Sequence, residues 1–187
     1  MEKIIVIILY TTLLVSFVWA RFTFFRSDNQ SSKLITILYD PTVFVFISVS
    51  YWSLLTIKDV PIATLIVGCI SLTFATGLFL WSLKTAKGAR LAFNYGADRI
   101  YKSGAYGFVR HPLYLSYSIT WIAIAAICNY TMLYLPLVYL LVFYLIAARK
   151  EENKIMEGSH SEEYKNYKQN VGMFFPRVTQ WVNLNLR

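Results

Sequence analysis

The chain has 187 residues, of which 57% are hydrophobic and 15% are charged, and its formal net charge is +8. Soluble domains carry roughly 25% charged residues, so this composition excludes an ordinary soluble domain and indicates a polytopic membrane protein. The basic excess does not by itself indicate a nucleic-acid partner, because cationic loops beside anionic lipid headgroups give the same balance. Cys69 and Cys128 are the only cysteines. Their positions in apolar runs predict packing roles and neither a disulfide nor a metal site.

Five apolar runs follow one another along the chain, and each is long enough to cross or nearly cross about 30 Å of hydrocarbon. They span about residues 4–20, 41–57, 61–83, 112–128 and 131–148. Asp40 and Pro41 have the pattern of an N-cap followed by proline at the first helical position, which predicts that the second helix begins there. The sequence therefore predicts an all-α integral membrane protein with about five transmembrane helices, in a single membrane domain over residues 1–187.

The distribution of basic residues predicts the orientation in the membrane. Of the 18 lysines and arginines, only Lys3 and Lys58 lie outside the first loop, the third loop (84–111) and the tail (149–187). Because cytoplasmic loops are enriched in Lys and Arg, we expect the third loop and the tail in the cytoplasm and the N-terminus outside. A cleaved signal peptide over residues 1–20 is the alternative. It is disfavoured because the basic residues follow that run instead of preceding it.

The tail is polar, and part of it has a helical pattern. Hydrophobic and aromatic residues recur there at three- and four-residue spacing, at Met156, His160, Tyr164, Tyr167 and Val171. Gly158 interrupts this pattern, which predicts a break between two helices. We expect the second helix to lie on the membrane or to fold back over the third loop.

Polar side chains are concentrated just before and just after the last two spans, which are expected to form an antiparallel hairpin. They are Tyr106, Arg110, His111 and Tyr114 before the first span and at its start, and Arg149, Glu151 and Glu152 after the second. An antiparallel hairpin brings these groups together. Carboxylates bind ribose hydroxyls or an ammonium group, an arginine binds a carboxylate, and tyrosine rings attract a sulfonium. Together the groups match the parts of S-adenosylmethionine.

Each of these residues also has a structural interpretation. Arg110 and His111 are typical of a basic flank beside a span, and Tyr114 is typical of an interfacial aromatic belt. Glu151 and Glu152 are typical of carboxylates that pair with neighbouring cations on a solvated helix face. Their combination and their order along the chain favour the cofactor site.

The segment Gly104–Tyr114, with the sequence Gly-Ala-Tyr-Gly-Phe-Val-Arg-His-Pro-Leu-Tyr, carries a recognisable motif. It resembles the Gly-Pro-Tyr-x-x-x-Arg-His-Pro-x-Tyr signature of the isoprenylcysteine carboxyl methyltransferase and phospholipid methyltransferase superfamily. That family continues with an apolar hairpin, a Glu-Glu pair, a Phe-Gly-x-x-Tyr-x-x-Tyr motif and a late proline. The corresponding residues here are Glu151-Glu152, residues 160–167 and Pro176. The resemblance covers about residues 98–178.

The chain departs from the family pattern at four places. Ala105 stands where the family has proline, Ser116 where it often has glycine, and His160-Ser161 where it has Phe-Gly. The spacing from Glu151-Glu152 to Tyr164 is also slightly longer than in the family. The compact layout of about five spans is similar to that of the small prokaryotic members, which implies a location in a prokaryotic cell membrane.

The resemblance implies S-adenosylmethionine as the cofactor, in a pocket that the cytoplasmic tail completes. The residues implied to bind it are Tyr106, His111, Pro112, Tyr114, Glu151 and Glu152, and which glutamate faces the cofactor is left open. The acceptor is expected to be lipophilic or amphiphilic, either an isoprenylcysteine-like carboxylate or a phospholipid amine. Arg110 or Arg149 would orient a carboxylate, whereas Glu152 or its neighbour would take the proton of an amine. Membrane lipids are expected partners; a metal and nucleic acid are not.

Two other functions remain open on sequence alone. Membrane sterol reductases have a similar C-terminal architecture and use NADPH, but they are usually longer and carry more spans. A scaffold or a transporter subunit is the other alternative. It is disfavoured because a transporter is expected to place polar groups near the bilayer midplane.

Overall fold

The computed structural model describes residues 2–24, 30–57, 59–86 and 100–177, and these residues are arranged in helices without any named β-strand. The helices are α1 (Glu2–Phe24), α2 (Gln30–Thr56), α3 (Ile62–Thr85), α4 (Ala105–Phe108), α5 (Pro112–Cys128), α6 (Tyr134–Glu157) and α7 (Ser161–Asn170). A 3₁₀ turn at Thr131–Leu133 precedes α6. The predicted all-α class is confirmed for the described residues.

Four helices within the described ranges are long and apolar enough to cross a membrane, and the chain is an integral membrane protein. The candidate spans are Lys3–Thr23, Ile37–Thr56, Ile62–Thr85 and Thr131–Glu157. The apolar helix α5 has 17 residues, which gives it a length of about 26 Å. It packs most extensively against α3 and also contacts α2 and α6, so it is the central helix of the bundle. A fifth membrane crossing through α5 stays a prediction.

The predicted start of the second helix at Asp40 and Pro41 is wrong. Helix α2 begins at Gln30, and Pro41 lies inside it. Asp40 does not cap backbone N–H groups, because it accepts hydrogen bonds from Arg21 of α1, with Nη1–Oδ1 at 2.5 Å and Nη2–Oδ2 at 2.7 Å. The Asp-Pro pattern is a local signal, and here a partner from another helix satisfies the carboxylate. Lys33, expected in the first loop, is consequently part of α2.

Helix α6 extends well beyond the apolar run that predicted it. It continues to Glu157, whereas the predicted span ends at residue 148, because the charged residues that follow are good helix formers. Gly158 ends this helix and α7 begins at Ser161, so the predicted break at Gly158 is confirmed. Glu151 and Glu152 therefore stand on the same rigid helix as the membrane span.

Two features hold the bundle together at its centre. A Cβ atom on Gly68 of α3 would lie 2.4 Å from Cδ1 of Ile127, so glycine permits the close approach of α3 to α5. Farther along the bundle, the hydroxyl of Tyr144 in α6 accepts a hydrogen bond from Trp121 Nε1 at 2.9 Å and lies 2.9 Å from the hydroxyl of Tyr39 in α2. This buried polar junction links α2, α5 and α6.

The two ends of the bundle have different contacts. At one end Lys3 donates to the carbonyl of Ile57, and at the other Arg21 pairs with Asp40. Several cations on which the predicted orientation depends lie outside the described residues. They are Arg26, Lys58, Lys87, Arg90, Arg99 and Arg187. The orientation in the membrane stays a prediction.

Candidate active site

A turn at Gly104 directs the chain through α4 towards the start of α5. Gly104 has φ +56°, and a Cβ atom there would lie 2.4 Å from Oγ1 of Thr85, so both conformation and space favour glycine. Val109 is extended, and His111 occupies the N-cap position of α5, with Pro112 at its first turn. Proline suits that position because it has no N–H to leave unpaired. Arg110 and His111 are thereby fixed at the end of a buried helix.

The tail returns to this point and lies alongside it. Val109 and Gly172 form an isolated parallel bridge. The backbone N–H of Arg110 donates to the carbonyl of Gly172 at 2.8 Å, and that of His111 donates to the carbonyl of Met173 at 3.2 Å. These bonds attach the tail directly to the Arg-His-Pro motif.

Glu152 is the most buried carboxylate of the site, with a relative exposure of 1%. One of its oxygens, Oε1, lies 2.8 Å from Nε of Arg110 and 3.2 Å from Nε2 of His111, while Oε2 lies 3.0 Å from Nζ of Lys168. A buried carboxylate is tolerated only when it is paired in this way. The other end of the Arg110 guanidinium donates to the carbonyls of Lys168 and Val171. Arg110 is therefore committed to Glu152 and the tail.

Glu151 is the more exposed of the two glutamates, with a side-chain exposure of 22%. It accepts a hydrogen bond from the hydroxyl of Tyr114, and its Oε2 lies 3.6 Å from Nδ1 of His111. The imidazole therefore stands between the two carboxylates. The rings of His111 and Tyr114 are stacked at 5.7 Å, and those of Tyr114 and Tyr144 at 5.5 Å. Glu151 therefore lies at the edge of a stack of three aromatic rings.

Tyr106 is held to the site by α7. The hydroxyl of Tyr167 donates to the backbone carbonyl of Tyr106 at 2.6 Å. Burial raises the pKa of the Tyr167 phenol well above its ordinary value, so the hydroxyl keeps the proton that it donates. Burial, together with the nearby charge of Glu151, also raises the pKa of the Tyr106 phenol. Both tyrosines are therefore neutral polar groups.

The predicted site residues do not all meet. Arg110, His111, Tyr114, Glu151 and Glu152 form one connected cluster, which we call the Arg-His-Glu cluster. Pro112 is buried beside it, and Tyr106 adjoins it through Tyr167. Arg149 is exposed, and within the described ranges no ion pair joins it to either glutamate.

Sequence reasoning missed two components of this arrangement. One is Lys168, which binds Glu152 and lies four residues after Tyr164, on the same face of α7. The helical spacing was a usable signal for it. The backbone carbonyls of Gly172 and Met173 carry no side-chain signal, so their pairing with the motif becomes visible only in the fold.

Residues 63–163 match the family model of phospholipid methyltransferases, and this stretch covers more than half of the chain. The chain belongs to the phospholipid methyltransferase family. This family belongs to the superfamily whose signature the Gly104–Tyr114 segment resembles. A search of curated protein sequences finds no significant match.

Membership decides the class of reaction. Proteins of the phospholipid methyltransferase family are S-adenosylmethionine-dependent methyltransferases, so the chain is an enzyme of this class with that cofactor, and a lipid substrate is implied. The reductase and scaffold alternatives are set aside by this finding. The chemistry of the Arg-His-Glu cluster fits the cofactor, because it offers a half-buried carboxylate beside two stacked aromatic rings.

Proposed function

We propose that the chain transfers a methyl group from S-adenosylmethionine to the amine of a phospholipid at the cytoplasmic face of the membrane. The observation that carries this proposal is the position of His111, between Glu151 and Glu152 and stacked on Tyr114, at the polar end of the bundle. A lipid held in the bilayer reaches such a site without leaving the membrane. The alternative acceptor is an isoprenylcysteine-like carboxylate, and a test must distinguish it from the phospholipid amine.

Glu151, His111 and Tyr114 are the residues that we propose to hold the cofactor, with Tyr106 beside them. When bound, S-adenosylmethionine supplies an electrophilic methyl group on a sulfonium that is already a good leaving group. The protein therefore contributes mainly position and orientation. The Glu151 carboxylate suits hydroxyl or ammonium groups, and the ring face of Tyr114 suits a cation.

Glu152 has a different role in this proposal. Its two oxygens are already engaged by Arg110, His111 and Lys168, so it orients these groups and does not contact the reacting atoms. Pro112 acts in the same indirect way, by fixing where α5 begins. Arg110 attaches the tail to the cluster. Both Arg110 and Glu152 are thus positioning residues.

An amine acceptor also needs a proton acceptor. A phospholipid ammonium must lose a proton before its nitrogen lone pair can attack the methyl carbon, and we assign the proton to the carboxylate of Glu151. This glutamate is preferred to Glu152 because its side chain is 22% exposed rather than 2%. Arg149, exposed on the same helix, would be needed only to orient a carboxylate acceptor.

We also propose a single membrane domain with five crossings, in which α5 provides the fifth. Its central position among α2, α3 and α6 supports this assignment. With five crossings the termini lie on opposite sides, and the excess of basic residues in the third loop and the tail favours a cytoplasmic C-terminus.

The test is calorimetric titration of detergent-purified protein with S-adenosylhomocysteine, followed by transfer of a radiolabelled methyl group to lipids. We expect micromolar binding and labelled phosphatidylethanolamine. Glu151→Gln should weaken binding. Glu157 is an exposed carboxylate at the end of the same helix, so Glu157→Gln should leave binding unchanged. Label appearing on an isoprenylcysteine analogue instead of on the amine lipid would reassign the acceptor. Absence of binding by the folded protein would refute the site.

A further inference from the structure

A bidentate ion pair between Arg21 and Asp40 lies within the helices of the bundle. Both residues fall inside candidate spans, Lys3–Thr23 and Ile37–Thr56. Ionisable residues in such segments are expensive and are commonly retained for function. The two side chains are 45% and 39% exposed, so a ligand can reach the guanidinium.

The pair adjoins the candidate active site through a series of contacts. Tyr39 immediately precedes Asp40, and its hydroxyl lies 2.9 Å from that of Tyr144. The Tyr144 ring is stacked on Tyr114 at 5.5 Å, and Tyr114 donates to Glu151. Arg21 and Asp40 are thus at the same end of the bundle as the Arg-His-Glu cluster.

Tyr117 of α5 lies between these two groups. Its ring contacts that of Phe17 in α1 at 4.4 Å and that of Tyr144 at 5.7 Å, and it packs in the same apolar cluster as Ala20, the residue before Arg21. Among the described residues, no hydrogen-bond partner is found for its hydroxyl. A half-buried phenol in this setting is suited to a polar ligand between the ion pair and the cluster.

We propose that Arg21 binds the phosphate of the acceptor lipid, and that Tyr39 and Tyr117 line the path of the headgroup towards the methyl donor. This assignment rests on the proposed function. A guanidinium has five N–H donors, and Asp40 uses two nitrogens, which leaves donors for a phosphate oxygen. Asp40 holds the fork in place. With the phosphate on Arg21, the headgroup amine extends towards Glu151.

A structural role makes a different prediction. If the pair only joins α1 to α2, then Arg21→Gln and Asp40→Asn have the same effect, and neither changes the preference between lipids. If Arg21 binds phosphate, Arg21→Gln alone removes that preference, because Asp40→Asn leaves the cation present.

The experiment is calorimetric titration of the detergent-solubilised chain with short-chain phosphatidylethanolamine and with the matching diacylglycerol, which lacks the phosphate. We expect the wild type to prefer the phospholipid, and Arg21→Gln to lose about tenfold or more in affinity for it, with diacylglycerol unaffected. Lys3→Gln removes one positive charge from the opposite end of the bundle and should leave the preference unchanged. Arg21→Lys keeps the charge without the fork and should lose less than Arg21→Gln.

Binding of S-adenosylhomocysteine to every variant reports whether the cluster is folded. An unchanged phospholipid preference in Arg21→Gln overturns the proposal, as does an equal loss in Asp40→Asn. Arg21-dependent binding of an isoprenylcysteine carboxylate, without binding of the phospholipid, overturns the assignment to phosphate. Arg21-dependent phospholipid binding without methyl transfer supports the phosphate site and refutes the proposed reaction, so the two failures are distinguishable.

Discussion

Arg110 and Glu152 are 42 positions apart in the chain, yet Nε of the arginine lies 2.8 Å from Oε1 of the glutamate, in a pair whose side chains are 5% and 2% exposed. The same arginine binds carbonyls of the tail. A single guanidinium therefore joins the start of α5, the end of α6 and the segment after α7. The site depends on this connection for its shape.

Arg110→Gln is expected to destabilise the protein strongly, because it leaves a buried carboxylate with less compensating charge. Removing one partner of a buried pair costs about 3–5 kcal/mol in unfolding free energy. Denaturant unfolding in detergent measures this loss. Arg149→Gln is the matched control, and since that side chain is exposed, its effect should stay within about 0.5 kcal/mol. Equal effects of the two substitutions would contradict the role assigned to Arg110.

The two glutamates are expected to separate in their effects. Glu151→Gln should weaken S-adenosylhomocysteine binding about tenfold with little change in stability, because it removes charge from the proposed cofactor-facing group. Glu152→Gln should chiefly lower the unfolding free energy, since three side chains converge on that carboxylate. Titration calorimetry and thermal unfolding, run on both variants, measure the two quantities. The reverse pattern would exchange the two roles.

Gly172→Ala is expected to displace the tail from the site. A Cβ atom at this position would lie 1.7 Å from the carbonyl oxygen of Phe175, so the backbone must shift, at a cost of about 1–3 kcal/mol. Cofactor binding should fall together with stability. Gly77→Ala is the control, because nothing lies within 4 Å of a Cβ atom there, and an alanine inside α3 should be neutral or stabilising. Intact binding by Gly172→Ala would show that the tail is dispensable.

Tyr164 is expected to make the stability of the protein sensitive to alkaline pH. Burial, aided by the charge of Glu152, raises the pKa of this phenol above its ordinary value of 10.0. Above about pH 10 the unfolded phenol loses its proton while the folded one keeps it, so stability falls as pH rises. Unfolding measured between about pH 9 and 11 should show this decline in the wild type and a smaller one in Tyr164→Phe. An identical decline in both would exclude Tyr164 as a source.

The sequence predicted the meeting of His111, Tyr114 and the glutamates for a simple physical reason. Two apolar runs separated by a short turn must return the chain to its starting level, so residues flanking the hairpin become neighbours. The motif supplied the chemistry of one flank and Glu151-Glu152 that of the other. This inference needed only helix length and connection length.

Other parts of the fold could not be obtained in that way. Asp40 has a local signal for a helix start that is overridden by Arg21, a partner on another helix. The bonds from the carbonyls of Gly172 and Met173 to the motif depend on backbone positions, which residue type does not encode. Lys168 was predictable in part. Helical spacing indicates which face of α7 it occupies, but it does not indicate that its partner is Glu152.

The continuity of α6 from Tyr134 to Glu157 fixes the level of the proposed reaction site. From Leu140 to Glu152 the helix rises about 18 Å, at 1.5 Å per residue, and a helix does not stretch. Glu151 and Glu152 therefore stand at a constant height above the apolar part of the same rod. In the proposed reaction, an acceptor anchored in the bilayer must present its headgroup at that height. Acceptor lipids with acyl chains of different length should therefore react equally well. A lipid whose nucleophile lies a few bonds farther along the headgroup should not reach the methyl donor.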